Sequence, residues 1–210
     1  MHKPLATIAA AIAMAAASAA SHAADTVNGA FFVNGNLGQS QYRVALADGY
    51  GVHSDKKDTT YAARFGYVWY NTVDFGVEGG YVDLGEASVS YNDGVTRLRG
   101  KLSSKALLAG VNGKYHFGGN HWYVAARGGY LRTRVTSRGS YSEPGYYTYG
   151  SSTYNGNGWY AGASVGYDFT PNFGLGLHYD NYRVKLDSYN GLSRSRVNVA
   201  AFSLGAEYRF

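Results

Sequence analysis

A serine, a histidine and an aspartate in the last quarter of the chain are spaced so that a hairpin would bring them together. If a turn at residues 170–172 joins two antiparallel strands, Ser164 lies opposite His178, and Asp180 follows on the same face of its strand. These residue types supply the nucleophile, base and orienting acid of a catalytic triad. No set of donors for an oxyanion accompanies them, so a hydrogen-bonded interior histidine is the preferred interpretation, and no catalytic residue is predicted.

Residues that bind metals or phosphates are sparse. Beyond residue 23 the histidines are His53, His116, His121 and His178, which show no metal-ligand spacing, and the chain has no cysteine. No glycine-rich phosphate motif lies between a strand and a helix. We therefore predict no metal site, no cofactor and no nucleic-acid partner.

Several charged residues stand singly among glycines and apolar residues, at alternate positions of short segments. Because successive side chains of a strand point to opposite faces, these charges share one face. A tight turn at residues 71–73 places Glu78 diagonally across from Arg64. Buried charges need partners, so we predict an interior charge network. Its candidate members are Arg64, Glu78, Lys114, Arg127, His178 and Asp180.

The segments that carry these charges have a period of two, which predicts strands rather than helices. Eight runs alternate, at residues 30–37, 61–69, 75–81, 107–117, 122–130, 159–169, 173–179 and 201–210. The face opposite the charges is uncharged in every run. Its aromatic residues gather near the two ends of the strands, mainly tryptophan and phenylalanine at one end and tyrosine at the other. Two aromatic belts around an apolar band are typical of a surface that faces lipid.

The connections between the runs alternate in length. Three are tight turns, at residues 71–73, 119–120 and 170–172, and four are long, at residues 41–58, 85–104, 133–158 and 183–194. A chain without long apolar helices can span a membrane only as a closed barrel. We therefore predict an all-β fold over residues 24–210. It is an eight-stranded antiparallel up-and-down transmembrane β-barrel with short periplasmic turns and long extracellular loops.

The first 23 residues have the three parts of a secretory signal peptide. Lys3 precedes an apolar run at residues 5–17, and the small residues Ser21 and Ala23 follow it. Cleavage is expected after Ala23, or alternatively after Ala24.

In the 210-residue chain, 29 glycines and 21 tyrosines accompany sparse aliphatic residues, so aromatic rings supply much of the apolar area.

With these runs in place, the sequence resembles the small eight-stranded outer-membrane barrels of the OmpA transmembrane-domain and OmpX/Ail type, a porin-like family of Gram-negative bacteria. The stretches GVEGGYVDLG (76–85) and YDFTP (167–171) and the terminal YRF carry the resemblance. It implies a location in the bacterial outer membrane. In such families the last strand is the signal read by the barrel-assembly machinery. The matching residues are Leu204, Tyr208 and Phe210.

The family pattern is not kept in full. OmpA-like barrels pair an inward glutamate, matched here by Glu78, with an inward arginine on the seventh strand, but the matching position falls near Gly176. Outer-membrane lipid A deacylases carry a histidine and a serine two residues apart on one strand. The stretch from His178 to Asp180 lacks that serine.

The long connections are where specific partners would bind. Arg97, Arg99 and Lys101 would meet lipopolysaccharide phosphates in the outer leaflet, with solvated charge as an equal alternative. The third long connection has the Tyr, Ser, Gly and Asn content of adaptable binding loops, suited to a host or neighbouring-cell surface, with a flexible tether as an equal alternative. Its candidate contact residues are Tyr141, Tyr146, Tyr147, Tyr149 and Tyr154.

Eight strands enclose an interior that side chains can fill, which favours a plug-like network over a pore. The predicted function is that of a monomeric, non-enzymatic outer-membrane barrel with a structural or cell-surface interaction role, such as envelope integrity or adhesion. A narrow passive channel is the first alternative, and a lipid A-modifying enzyme is the second. Asp83 is an exception to the pattern, because alternation aims it at lipid unless the strand has left the membrane or a bulge resets the alternation.

Overall fold

The computed structural model describes residues 28–43, 52–55, 57–92, 95–118, 121–186 and 196–210. The predicted signal peptide lies outside the described residues. The strands found in these ranges are β1 (Gly29–Arg43), β2 (Val52–Asp55), β3 (Lys57–Trp69), β4 (Asp74–Asn92), β5 (Arg97–His116), β6 (Trp122–Glu143), β7 (Tyr146–Asp168), β8 (Phe173–Leu186) and β9 (Arg196–Arg209).

Eight of the described strands form a closed antiparallel ring. Sequential neighbours pair from β3 to β9, β1 pairs with both β3 and β9, and the short β2 pairs with β4 alone. The predicted eight-stranded up-and-down barrel is therefore confirmed. The register is also as predicted at two turns, because Ser164 pairs with His178 and Gly66 with Glu78, which leaves Arg64 diagonal to Glu78.

The uncharged face of each strand is the outer face of the barrel. Phe65 is 65% exposed and Val111 is 60% exposed, whereas the inward Arg64 is 1% exposed. A soluble barrel would turn its charges outward and its apolar side chains inward. The reverse arrangement leaves a wide apolar surface that only lipid can cover. Across the part of the chain that the structure describes, we find no helix with the length and hydrophobicity needed to cross a membrane.

Aromatic rings pack edge to face around the periplasmic rim. Tyr167 lies between Trp122 and Phe169, with ring centroids 5.3 and 5.1 Å apart, and Tyr208 contacts Phe210 at 5.0 Å. Edge-to-face pairs stabilise more than their buried area alone. This rim corresponds to the predicted Trp/Phe belt.

Two of the long connections are β-hairpins rather than irregular loops. The β4–β5 and β6–β7 ladders continue far past the upper aromatic belt, and β6 turns into β7 at residues 144–145, where Gly145 has a φ of 80°. The predicted length of these connections is confirmed, but their strand structure was not predicted. Beyond the membrane no lipid selects an apolar outer face, so the apolar/polar alternation that marks the lower strands ends there.

A hydrophobic plug fills the extracellular half of the barrel. It consists of inward side chains from the upper part of the ring, and Leu131 at its centre is 0% exposed. Its largest fully buried members are Tyr42, Val82, Leu84, Leu131, Tyr160, Tyr182 and Val199. Ser40 bonds the Leu84 carbonyl at 2.6 Å, and the Tyr42 hydroxyl donates to the Gly85 carbonyl at 3.1 Å, so the polar groups within the plug are satisfied.

A β-bulge resets the alternation of β4, but only after Asp83. The β4–β5 register shifts between Asp83 and Glu86, with Gly85 at a φ of 75°, and this shift turns the odd-numbered residues inward above it. Asp83 itself stays on the outward face and is buried by its neighbours. Tyr61 donates to it at 3.0 Å, and Lys105 Nζ lies 3.3 Å away. A cross-strand cation, rather than the bulge, therefore neutralises this carboxylate.

Candidate functional site: barrel interior and projecting sheet

The centre of the barrel holds an arginine–carboxylate cluster built from three strands. Arg127 on β6 donates Nε to Asp180 Oδ1 at 2.8 Å and Nη2 to Oδ2 at 2.6 Å. Asp180 on β8 is 2% exposed, and Arg64 on β3 places Nη2 3.5 Å from its Oδ2. Arg64 also donates to the Tyr182 hydroxyl at 3.0 Å. The bidentate geometry gives both a strong charge interaction and a fixed orientation.

Glu78 is satisfied mainly by neutral donors. The Tyr160 hydroxyl donates to Oε1 at 2.6 Å and Asn112 Nδ2 donates to Oε2 at 3.1 Å, while Arg64 Nε lies 3.9 Å away. The predicted Arg64–Glu78 pair therefore exists as a long ion pair. The sequence did not indicate that tyrosine and asparagine would be the closer partners.

A second cluster lies near the periplasmic end. Arg209 Nη2 donates to both Asp168 oxygens at 2.8 Å, and its Nε donates to Glu207 at 2.9 Å. Lys114 donates to Glu207 at 2.6 Å, and His116 Nε2 lies 2.8 Å from Asp168 Oδ2. The structure thus brings Arg64, Glu78, Arg127 and Asp180 together, but it pairs Lys114 with Glu207 in this lower cluster. Four members, His116, Asp168, Glu207 and Arg209, were not predicted as network residues.

His178 contributes no hydrogen bond to either cluster. Among the described residues, neither ring nitrogen has a hydrogen-bond partner, although the side chain is buried. The expected hydrogen bond from His178 to another protein group is therefore absent from the described residues. The ring fills space beside Gly205, where an added Cβ would meet Nε2 at 2.5 Å. In the described chain, no hydrogen bond joins His178 to Ser164 or Asp180. Arg127 binds both carboxylate oxygens of Asp180 instead, so no triad forms.

The interior contains small polar cavities rather than a wide lumen. One cavity of about 40 Å³ lies between the two clusters and is lined by residues that include Asn34, Arg64, Lys114, Ser164 and His178. Others of about 20 and 10 Å³ lie towards the periplasmic and extracellular ends. Such volumes hold on the order of a few water molecules at most. Within the described residues, no group of histidines, cysteines and carboxylates is arranged to hold a metal ion.

The upper parts of β4, β5, β6 and β7 form one sheet that extends past the upper aromatic belt, here called the projecting sheet. It carries the predicted surface residues. Tyr146, Tyr147 and Tyr149 are exposed on β7, and Arg97, Arg99 and Lys101 are exposed on the upper part of β5. Tyr141 is half-buried and contacts Tyr146 edge to face at 6.1 Å, and Tyr154 is exposed lower on β7. Lys101 pairs with Glu86 at 2.6 Å. Beyond the upper belt, the Asp83 carboxylate raises the pKa of Lys105 above its ordinary value.

Sequence reasoning missed a row of arginines on the outer face of β6. Arg132, Arg134 and Arg138 are exposed at even-numbered positions, which share one face of the strand, and in the described chain none has an acidic side chain within 4 Å. Arg134 pairs directly with Lys105, and Arg138 with Lys101. Their period of two, continued from the lower part of β6, was the signal that could have revealed them.

Residues 7–210 match the model of the family described as "Outer membrane protein beta-barrel domain". The chain belongs to this family of bacterial outer-membrane barrels. A comparison with curated proteins finds no significant match.

Solved structures include similar outer-membrane barrels. Ail of Yersinia pestis, in complex with the heparin analogue sucrose octasulfate, is 20% identical, with a TM-score of 0.50 over 87% of this chain and 99% of Ail. Neisserial surface protein A is 16% identical (TM-score 0.37; 86% and 97% covered), and OprG of Pseudomonas aeruginosa is 12% identical (TM-score 0.40; 87% and 96% covered). At this identity, the likeness to Ail shows a shared fold.

The last strand of this outer-membrane barrel closes the ring against β1. Leu204 and Tyr208 face outward, and the Phe210 amide donates to the Phe31 carbonyl at 2.9 Å. Arg209, which lies between Tyr208 and Phe210 in the sequence, points inward and donates to the Asp168 carboxylate. The C-terminal strand therefore joins an apolar lipid face to the lower ionic cluster.

Proposed function

We propose that this outer-membrane barrel is a non-conducting cell-surface interaction protein that holds a rigid sheet above the membrane. The observation that carries the proposal is the continuation of β4–β7 past the upper aromatic belt while the space beneath is plugged. A barrel whose task was transport would need an open lumen. Here the fold positions an extracellular surface.

The closed interior supports this proposal over a passive channel. Two ionic clusters and the hydrophobic plug stand in series along the axis, and an ion would have to displace buried, paired side chains to pass. We expect the purified barrel to give no reproducible single-channel steps in a planar bilayer. Stable unitary currents from the full chain would favour the channel instead.

The basic outer face supports an anionic glycan partner. Like charges directly opposite each other on adjacent strands are unfavourable, yet Arg134 faces Lys105 and Arg138 faces Lys101. Asp83 and Glu86 pair with the two lysines, which leaves the arginines available. Arginine suits phosphate and sulfate groups because its donors form a planar fork. We propose that this face binds lipopolysaccharide phosphates of its own membrane and anionic glycans of a host or neighbouring cell.

Binding assays can separate these two sources of anions. The triple variant Arg132→Gln, Arg134→Gln and Arg138→Gln should lose binding to immobilised heparin, the probe for sulfated glycans, and should lose its stabilisation by lipopolysaccharide in vesicles. The matched triple substitution by lysine keeps the charge and should retain much of both. If the glutamine variant loses only heparin binding or only stabilisation by lipopolysaccharide, that result identifies which anion this face binds. If neither changes, this face is not the binding surface.

A non-enzymatic role is part of the proposal. Ser164, His178 and Asp180 are near one another in the barrel but lack the hydrogen bonds of a triad. Lipid A mass spectra from cells with the wild-type chain and with Ser164→Ala should be identical. A mass difference that disappears in the variant would establish lipid modification.

Export and assembly complete the proposal. We infer that residues 1–23 are a cleaved signal peptide and that residues 24–210 form the mature, monomeric membrane domain. Leu204, Tyr208 and Phe210 would be read by the barrel-assembly machinery. N-terminal sequencing of the membrane-extracted protein tests the cleavage site, with Ala24 as the expected first residue.

A further inference from the structure

One edge of the projecting sheet is open. Residues 146–155 of β7 pair with β6 along their whole length, from Glu143↔Tyr146 downwards. On the other side, the pairing of β7 with β8 begins only at Gly156↔Leu186. In the described part of the chain, ten residues of β7 therefore present one row of backbone donors and acceptors without a strand partner.

This edge lacks the features that normally protect exposed strands. Proteins blunt such edges with charges, prolines or bulges, because an open edge is a template for another strand. Residues 146–155 read YYTYGSSTYN, with no charge and no proline, and all of them are exposed. Tyrosine and threonine, which favour strands, make up six of the ten. The segment is therefore suited to accept a further strand.

The connection from β8 to β9 is too short to cover the whole edge. It has nine residues, whereas a strand that ran beside residues 146–155 and returned to β9 would need about twice ten.

We propose that the β7 edge pairs antiparallel with the same edge of a second copy of this protein that lies in a facing membrane. The inference rests on the proposed surface role and names a partner for it. Antiparallel pairing of two identical edges has a two-fold axis perpendicular to the strands. That axis reverses the direction of the barrel, so the two copies point towards each other from opposite membranes and bridge two cells.

The sequence of the edge is self-complementary. In a register centred on Gly150, Tyr146 lies opposite Tyr154 of the other copy and Tyr147 lies opposite its Thr153. Aromatic–aromatic and aromatic–β-branched cross-strand pairs are favourable. No like charges meet anywhere along the ten residues. A single added strand pair is smaller than a standard interface, but many copies on each membrane combine their affinities.

Gly150 offers a substitution with a matched control. It lies opposite Gly139 on β6, and an added Cβ meets nothing within 4 Å at either position. Gly150→Lys and Gly150→Glu each place like charges at the two-fold axis, whereas Gly139→Lys adds the same charge one strand further from the edge. All three variants are first checked for the heat-dependent gel shift of a folded barrel.

The test measures clustering of proteoliposomes by light scattering. Wild-type and Gly139→Lys vesicles should cluster, vesicles with Gly150→Lys or Gly150→Glu alone should not, and a mixture of the two charge variants should recover clustering. Failure of wild-type vesicles to cluster, clustering by Gly150→Lys alone, or no recovery in the mixture would each overturn the inference. Heparin binding by the same vesicles reports separately on the proposed function.

Discussion

Removing the guanidinium of Arg127 should be among the most destabilising single changes in this barrel. Arg127→Ala takes two charged hydrogen bonds from Asp180, which is 2% exposed. Among the described residues, Arg64 at 3.5 Å is then its one remaining cationic partner. A charged hydrogen bond contributes about 1.5–3 kcal/mol. Breaking a buried pair from one side costs about 3–5 kcal/mol, because the other charge is left behind. With Arg64 as partial compensation, we expect a loss of about 3 kcal/mol.

A urea titration of the barrel in lipid vesicles, followed by tryptophan fluorescence, measures this loss. Arg134→Ala on the same strand is the matched control, because its side chain is exposed and unpaired with any described acid, and it should leave the midpoint unchanged. The double variant Arg127→Ala, Asp180→Ala should be about 2 kcal/mol more stable than the sum of the two single losses predicts, since it removes both charges together. Additive effects of the two single changes, or a midpoint for Arg127→Ala equal to that of the wild type, would refute the buried pair.

Three further predictions concern other contacts. Arg64→Ala should destabilise the barrel less than Arg127→Ala in the same titration, because Glu78 keeps two other hydrogen bonds; an equal or larger loss would contradict this ranking. Lys105→Gln should cost about 1 kcal/mol by removing the cation beside the buried Asp83 carboxylate, and a second change, Asp83→Asn, should restore the midpoint. Phe210→Ala should reduce folded protein in cells, measured by heat-modifiable gel mobility, yet refold normally in vesicles; a refolding defect would indicate a structural role instead.

The lower half of the barrel could be predicted because lipid imposes a pattern on it. A charged residue at a lipid-facing position is destabilising, so outward positions hold uncharged residues such as Phe65 and Val111. Their alternation with inward residues revealed the strands and their faces. Tight turns then fixed the register, which correctly placed Ser164 opposite His178 and Arg64 diagonal to Glu78. Ring closure followed from the rule that a chain without long apolar helices can span a membrane only as a closed barrel.

The upper half and the partners of the charges could not be predicted in the same way. Above the aromatic belt, water tolerates arginines on the outer face. Alternation therefore did not reveal the upper parts of β5, β6 and β7, which fall in the predicted long connections, or the plug residue Leu131. Inside the ring, the closest partners come from strands that are not adjacent, as in the Tyr160–Glu78 and Arg209–Asp168 contacts. Such pairings depend on the curvature of the closed barrel, which alternation along single strands does not encode.

Spin labels give the most direct test of the central claim, that the uncharged face meets lipid while β7 projects into water. The chain has no cysteine, so single cysteines at Val77, Val111 and Tyr149 can be labelled without background. We predict that labels at Val77 and Val111 are accessible to oxygen in the bilayer, and that a label at Tyr149 is accessible to a water-soluble relaxing agent. Water accessibility at Val77 and Val111 would contradict the orientation of the barrel and the account built on it.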